Sequence, residues 1–353
     1  MGIKGLTSLL KNEVPESLQI HKLNYFKGSK IAIDTSILLY KFRHNSNNEY
    51  SHISGLMNKC ILFIKHGIIP IFVIDGKPPP EKDTCIKIRK SQRQKTFLKI
   101  QELKDMLEKD EKLMKAGEKD EIISKIKKFD KQIIRVTREH HKEAYDLLKL
   151  LGFMVIKSPG EAEEVCAFLQ KSNIVDFTYS DDTDLIPLGC GKLLRSNGKS
   201  NTLTEVDLEK ILKGLDFNLD QFIDLCILCG CDYVSNIPKI KHKEALKLIK
   251  VYKNLENVCT FLSSNGQPIP IGFDYKNARK IFKSENYKCL ENFNKISNLP
   301  VIDTENLRSF LLNRHFNKYY INKYINKFND SKLLIPRDNS VDKIKDIVYF
   351  KNK

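Results

Sequence analysis

Ile31-Ala32-Ile33-Asp34 and Phe72-Val73-Ile74-Asp75 are two short apolar runs, rich in β-branched residues, that each close on an aspartate. A continuous apolar run of this length reads as a strand buried on both faces. The second run begins at Ile68. Two further runs resemble them: Phe177-Thr178-Tyr179 passes into Ser180-Asp181-Asp182, and Met154-Val155-Ile156 leads into Ser158-Pro159-Gly160. Helical spacing of apolar residues lies between them, over 55–65 and 141–151. Strand–helix alternation predicts an α/β fold with a mostly parallel central sheet flanked by helices. In such sheets the chemistry gathers at the carboxyl ends of the strands.

The stretch 81–142 interrupts the alternation. Between 82 and 99 it carries Lys82, Lys87, Arg89, Lys90, Arg93, Lys95 and Lys99 against one acid, Asp83. Farther on, Leu103, Met106, Leu107, Leu113 and Met114, then Ile122, Ile123, Ile126 and Phe129, recur at spacings of three and four. They predict two helices broken near Ala116-Gly117, forming a projecting arm. The plainer alternative is a solvated helical hairpin. After Asp207 the chain reads as helical. An apolar helix over 222–229 ends at Gly230-Cys231-Asp232, and the turn Pro238-Lys239-Ile240-Lys241-His242-Lys243 leads into another over 244–251. Phe316, Tyr320, Tyr324 and Phe328 make a helix stripe best read as core packing. The expected organisation is a core part at 1–80, an inserted arm at 81–142, a second core part at 143–262 containing a helix–turn–helix (about 222–251), and a helical extension at 263–353. No internal repeat is found.

Sixty Lys+Arg stand against 44 Asp+Glu in 353 residues, a formal charge of +16. That surplus points to a polyanionic partner. With 29% charged and 41% hydrophobic residues the chain is neither disordered nor membrane-embedded overall. No run of about 18 apolar residues exists to cross a bilayer. The opening Met1-Gly2-Ile3-Lys4-Gly5-Leu6 lacks the apolar stretch of a signal peptide, and Leu6 breaks the myristoylation pattern. Nine cysteines, an odd number, fit a reducing compartment and free thiols. Cys226, Cys229 and Cys231 lack the further ligands a structural zinc needs, so packing is the expected role. His140-His141 reads as a solvated helix end, and no nucleophilic Ser/His triad is recognisable.

The sharper signal is acidic. Asp34 and Asp75 close two strands, Glu161 and Glu163 open a helix after Ser158-Pro159-Gly160, Asp182 and Asp184 follow a third strand, and Asp232 ends a turn. Seven carboxylates drawn together would repel one another without counter-charge. Hard divalent cations supply it, and Mg²⁺ prefers a few carboxylates with water and substrate phosphate oxygens. Two such ions suit in-line displacement at a phosphodiester. The plainer reading makes each acid a loop residue or a helix cap.

In this order the motifs resemble the flap endonuclease and 5′→3′ exonuclease family of structure-specific nucleases. Met1-Gly2-Ile3-Lys4-Gly5-Leu6 looks like its opening, and Ile31-Ala32-Ile33-Asp34-Thr35-Ser36 with Tyr40 like its first metal motif. Phe72-Val73-Ile74-Asp75-Gly76-Lys77-Pro78-Pro79 is similar to its second. Glu161-Ala162-Glu163, Asp182-Thr183-Asp184 and Gly230-Cys231-Asp232-Tyr233 complete the set, covering roughly residues 1–262. The resemblance implies a PIN-like nuclease core with an inserted helical arch and a helical C-terminal DNA-binding part. It implies that Asp34, Asp75, Glu161, Glu163, Asp182, Asp184 and Asp232 hold two Mg²⁺ ions, for which Mn²⁺ can substitute. Lys82 and Arg89 would contact the scissile phosphate, with Asp34, Asp75, Glu161 and Asp184 as the principal catalytic acids. Tyr40 would stack on a base, Gly2 would lie near the site, and Lys59, Arg93, Gly230, Lys239, Lys241 and Lys243 would contact DNA. The implied partner is DNA with 5′ flaps, nicks, gaps or free 5′ ends, bound by a monomer away from membranes. The implied setting is intracellular, in the nucleus or at a cytoplasmic replication site if the source is a large DNA virus.

Two departures stand out. The family's helix–turn–helix loop reads Gly-Ile-Gly-Pro-Lys and holds a potassium ion; here Lys239-Ile240-Lys241-His242-Lys243 replaces it. Losing both glycines argues against close backbone approach and against the K⁺ site, while the added lysines can contact phosphates themselves. The C-terminal region also lacks a clamp-binding Gln-x-x-hydrophobic-x-x-aromatic-aromatic tail, which argues against sliding-clamp recruitment. A catalytically silent DNA-binding scaffold is the main alternative. A phosphatase would want an Asp-x-Asp at the first strand, which Asp34-Thr35-Ser36 does not supply.

Overall fold

In the computed structural model, residues 2–46, 48–109, 116–199, 201–284 and 301–332 are described. Leu113, Met114 and the C-terminal region judged to lack a clamp-binding tail lie outside them. Seven strands form one sheet in the order β1-β7-β6-β5-β2-β3-β4. They are β1 (Leu18–Lys22), β2 (Lys30–Asp34), β3 (Ile69–Ile74), β4 (Met154–Lys157), β5 (Phe177–Tyr179), β6 (Lys192–Ser196) and β7 (Thr202–Asp207). The pairs β6–β5, β5–β2, β2–β3 and β3–β4 are parallel, whereas β7 runs antiparallel to both β1 and β6. The mostly parallel α/β expectation is borne out.

The period of two along the strands divides the interior into two cores. Ile31 and Ile33 on β2, with Phe72 and Ile74 on β3, face one side; Ala32, Ile71 and Val73 face the other. The first side is covered by α2 (Thr35–Asn45), α3 (Ser51–Lys65) and α6 (Arg138–Leu150), with α13 (Thr304–Leu312) and α14 (Lys318–Lys332) outside them. The second is covered by α1 (Leu6–Glu13), α7 (Ala162–Lys171), α8 (Leu208–Leu215), α9 (Leu219–Cys229) and α10 (His242–Tyr252). Helices α11 (Leu255–Ser264) and α12 (Tyr275–Phe282) pack beyond α10 and α9.

The arm comprises α4 (Asp83–Lys109) and α5 (Ala116–Gln132), which pair with each other and bury Ile100 and Ile126. Most of its other apolar residues stay partly or largely exposed, Phe97, Leu98, Met106 and Ile123 among them.

Three expectations need correction. Strands β1, β6 and β7 were not anticipated, because Leu-Gln-Ile-His-Lys, Lys-Leu-Leu-Arg-Ser and Thr-Leu-Thr-Glu-Val-Asp mix polar and apolar residues at a sheet margin. In the aromatic stripe, Phe316 precedes α14 and Tyr320 is exposed, while Phe328 is buried against Phe153. His140 and His141 are not a solvated end: His140 completes a capping box with Thr137, and His141 Nε2 lies 3.2 Å from Ser36 Oγ. The eight described cysteines are free, Cys226, Cys229 and Cys231 being buried as packing residues.

Candidate active site

Parallel register puts the strand ends at one edge. Asp34 pairs in register with Val73, so Asp75 stands just beyond it, and Ile74 pairs with Lys157, from which the chain turns to Glu161. Gly76 lets the loops after β3 and β4 touch. Its N–H donates to the Gly160 carbonyl at 2.7 Å, and a β-carbon there would lie 2.1 Å from the Ser158 carbonyl oxygen. The loop contact places Asp75 Oδ1 to accept from the Ala162 N–H at 2.7 Å, holding the start of α7 and with it Glu161 and Glu163. Beyond β5, Ser180 Oγ donates to Asp34 Oδ2 at 2.8 Å and accepts from the Asp182 N–H at 3.0 Å; Asp182 Oδ1 in turn accepts from the Asp184 N–H at 3.1 Å.

The acids crowd one another. Asp34 is pushed up to about 7 by burial and by Asp75 and Asp182, against the Ser180 hydrogen bond. Burial lifts Glu163 and Asp184 well above the usual carboxylate range, and Asp182 adds to both. Glu161 is raised by burial while Lys82 pulls it back. Asp184 is 0% exposed, and both its carboxylate oxygens and Glu163 Oε2 lack any hydrogen-bond partner among the described residues.

The arm's base supplies counter-charge. Lys82 Nζ lies 2.7 Å from Glu161 Oε1 and 3.9 Å from Asp232 Oδ2, over the Tyr233 ring. Burial works against its charge, but Glu163, Tyr233, Glu161 and Asp184 outweigh it and hold the ammonium protonated. Arg89 Nη2 donates to both Asp232 oxygens, at 2.8 and 2.7 Å. Cys85, on the same face of α4, donates its S–H to Asp232 Oδ1 at 3.4 Å. Tyr233 donates to Glu161 Oε2 at 3.2 Å.

The orphaned oxygens of Asp184 and Glu163, within an all-oxygen donor set, fit hard divalent cations. Among the described residues no three carboxylate, histidine or cysteine groups are arranged to hold a metal ion as they stand. Lys82 and Arg89 hold Glu161 and Asp232 in direct ion pairs.

The chain start completes the site. Gly2, at φ +92°, lies so close that a β-carbon would meet Asp182 Oδ1 at 2.2 Å. Ile3 donates its N–H to Thr183 Oγ1 at 2.9 Å, and Lys4 its N–H to the Gly230 carbonyl at 3.0 Å.

The structure thus brings together the seven acids, Lys82, Arg89 and Gly2. Arg93 lies one helical turn farther along α4. Lys59, on α3, stands over the Tyr179 ring at 4.6 Å and is lowered to about 8 by burial and by Lys41. Tyr40, midway along α2, packs partly against the α3-side core. Lys239 and Lys241, on the turn before α10, and Lys243, in its first turn, stand apart and are exposed.

Sequence reasoning missed Cys85, His141, Tyr233 and Lys41, whose Nζ bonds Ser196 Oγ at 2.6 Å beside Asp181. Spacing could have found Cys85, which stands three residues after Lys82 and four before Arg89.

A flap endonuclease 1-A from Sorghum bicolor is 34% identical over 94% of this chain and 87% of its own length. The chain belongs to the flap endonuclease family. The XPG N-terminal domain matches residues 1–96 and the XPG I-region residues 152–232. Flap endonuclease 1 of Theileria parva is 36% identical over 93% of this chain. The chain spans 65% of that relative's length and 52% of a Plasmodium falciparum flap endonuclease 1. Among solved structures, the Methanococcus jannaschii flap endonuclease-1 superposes with a TM-score of 0.65 at 25% identity, covering 92% of this chain and 98% of that one. The catalytic core of Rad2 in complex with DNA substrate gives 0.66 at 21%, covering 93% and 100%.

Proposed function

We propose that this chain is a structure-specific 5′ nuclease that hydrolyses phosphodiester bonds in branched or 5′-ended DNA, as a flap endonuclease, a 5′→3′ exonuclease or both, in replication, repair or recombination. The observation that carries the reading is the fully buried, unpartnered Asp184 carboxylate among six further acids, with Lys82 and Arg89 directly against the cluster. Membership of the flap endonuclease family and the Rad2 core's complex with DNA support it.

Asp34, Asp75, Glu161, Glu163, Asp182, Asp184 and Asp232 would hold two Mg²⁺ (or Mn²⁺) ions. When bound, such ions lower the pKa of water and offset charge on a phosphate. The protein's own part follows from what its side chains touch. Lys82 and Arg89 are cations poised against acids; once those acids are otherwise neutralised, both are released toward a phosphate oxygen on which charge develops. Cys85 and Tyr233 orient Asp232 and Glu161. Ser180 holds Asp34 in place, and Asp75 fixes the start of α7. Lys59, Arg93, Gly230 and the lysines of the α9–α10 turn supply contacts to DNA, and Tyr40 offers a ring for a base to stack on. The arm at 81–142 serves as a gateway for a 5′ single strand. The active species is a monomer in a reducing, intracellular setting.

The test is a panel of end-labelled flap, nicked, gapped and blunt duplexes incubated with Mg²⁺. A single cut at the branch defines an endonuclease, and stepwise 5′ nucleotide release an exonuclease. Tight binding without any cleavage would identify a silent scaffold instead.

A further inference from the structure

The arm meets the acid cluster at both its feet. The outgoing foot carries Lys82, Cys85 and Arg89, which touch Glu161 and Asp232. The returning foot is the first turn of α6, where His141 Nε2 lies 3.2 Å from Ser36 Oγ. Ser36 is buried in the first turn of α2, the turn that Asp34 caps by accepting from the Ile37 N–H at 3.4 Å. The His141 ring is also close enough to Asp75 for that carboxylate's charge to act on it. His141 therefore reaches one strand-end acid through a single turn of helix and the other through space.

The support beneath the ring is a second observation. The Thr137 N–H donates to His140 Nδ1 at 2.9 Å and the His140 N–H to Thr137 Oγ1 at 3.4 Å, closing a capping box at the start of α6. The His140 and His52 rings meet edge to face, with centroids 4.7 Å apart. His52 Nε2 lies 2.8 Å from Glu143 Oε2, and the other Glu143 oxygen accepts from Arg314 Nε at 2.8 Å. The turn that carries His141 is thus fixed to α3 and to the residues after α13. A metal ligand keeps its geometry when the groups around it are themselves locked, and this turn is locked.

We propose that His141 is a positioning residue for the metal centre: through Ser36 it pins the first turn of α2, so that Asp34 stands in place before a divalent cation binds. An imidazole nitrogen and a hydroxyl can each donate or accept, and the role requires only that the bond be made. The inference rests on the nuclease reading above and gives the returning foot of the arm a part in it. Lys82 and Arg89 serve the Glu161 and Asp232 side of the cluster, and His141 the Asp34 side.

The experiment measures Mn²⁺ binding to the DNA-free protein by electron paramagnetic resonance. It compares wild type, His141→Ala, Ser36→Ala, the double variant and His141→Gln, with a thermal melt of each in chelator and the Mg²⁺ dependence of single-turnover cleavage. Each single alanine should weaken Mn²⁺ binding, and raise the half-saturating Mg²⁺ concentration, by about tenfold. The double variant should be no worse than either single, because the two side chains act as one unit. His141→Gln, whose amide can reach the same hydroxyl, should restore most of the loss. If His141→Ala does not fold, Ser36→Ala decides, since it deletes the bond without removing a ring. Wild-type Mn²⁺ affinity in the alanine variants, whatever their Tm, or losses that add in the double variant, would overturn the proposal; the bond would then only pack α6 on α2. If the Mn²⁺ cycle comes out as expected while wild type cleaves no DNA, the nuclease reading falls and the positioning role stands.

Discussion

Asp184 shows what the site lacks. A fully buried carboxylate with neither oxygen bonded is costly unless a partner arrives. Asp184→Ala should therefore abolish Mg²⁺-dependent cleavage while leaving DNA affinity largely intact, since affinity comes mainly from Lys and Arg contacts to phosphate; near-normal turnover by the folded variant would refute the metal assignment. Lys82→Ala and Arg89→Ala should each slow the single-turnover step by about 3 kcal/mol, with smaller effects on binding. If only binding weakens, the two residues act as a basic surface rather than on the reacting phosphate. Asp34 makes a pH prediction. Its carboxyl stands near 7 in the folded, metal-free protein against 3.8 for the free group. The native state therefore binds more protons than the unfolded one between those values, and stability falls as pH rises through that window. Chelator-treated protein should melt a few degrees lower at pH 7 than at pH 5, and Asp34→Asn should reduce the difference. At this scale the seven acids were legible because each follows an apolar run or opens a helix. His141 was not, because its partner Ser36 is distant in sequence and only folding brings them together.

Among the elements, the central strands could be read because burial on both faces leaves them nearly continuous apolar runs, with Thr178 the polar residue in their interior. The marginal strands could not, since exposed Lys and half-buried Thr and Ser obscure the period of two. The same limit hid how the C-terminal helices attach. Arg314, just after α13, donates from Nε to Glu143 Oε1 on α6 at 2.8 Å, and His52 on α3 lies 2.8 Å from the other oxygen. Three elements thus share one buried carboxylate. Burial lowers His52 to about 4, against the pull of Glu143. Arg314→Ala strips Glu143 of its guanidinium and should cost about 3 kcal/mol in urea unfolding. A loss below 1 kcal/mol would mean the pair is solvated and the helices are held by Phe328 and its neighbours alone. No sequence periodicity announces such a triad, because its members are separated by long stretches and each alone looks like a surface charge.

For the whole molecule, the arm is the least integrated part. Its two helices bury Ile100 and Ile126 against one another, while Lys82, Cys85 and Arg89 at its base tie it to the acids. Replacing residues 92–131 by a short flexible linker should leave the melting temperature of the remainder within a few degrees and remove flap cleavage; a collapse of the fold would show that the arm is structural. The arrangement of the acids has a different consequence, in the life of the chain on the ribosome. The set of seven acids opens at Asp34 and closes only at Asp232, about two hundred residues later, an interval of roughly 10–40 s at ordinary elongation rates. A partly made chain already carries much of the basic surface that attracts nucleic acid, yet it has no complete centre with which to cut. On the proposed nuclease reading, the nascent polypeptide acquires its cutting centre only once α9 has emerged and packed.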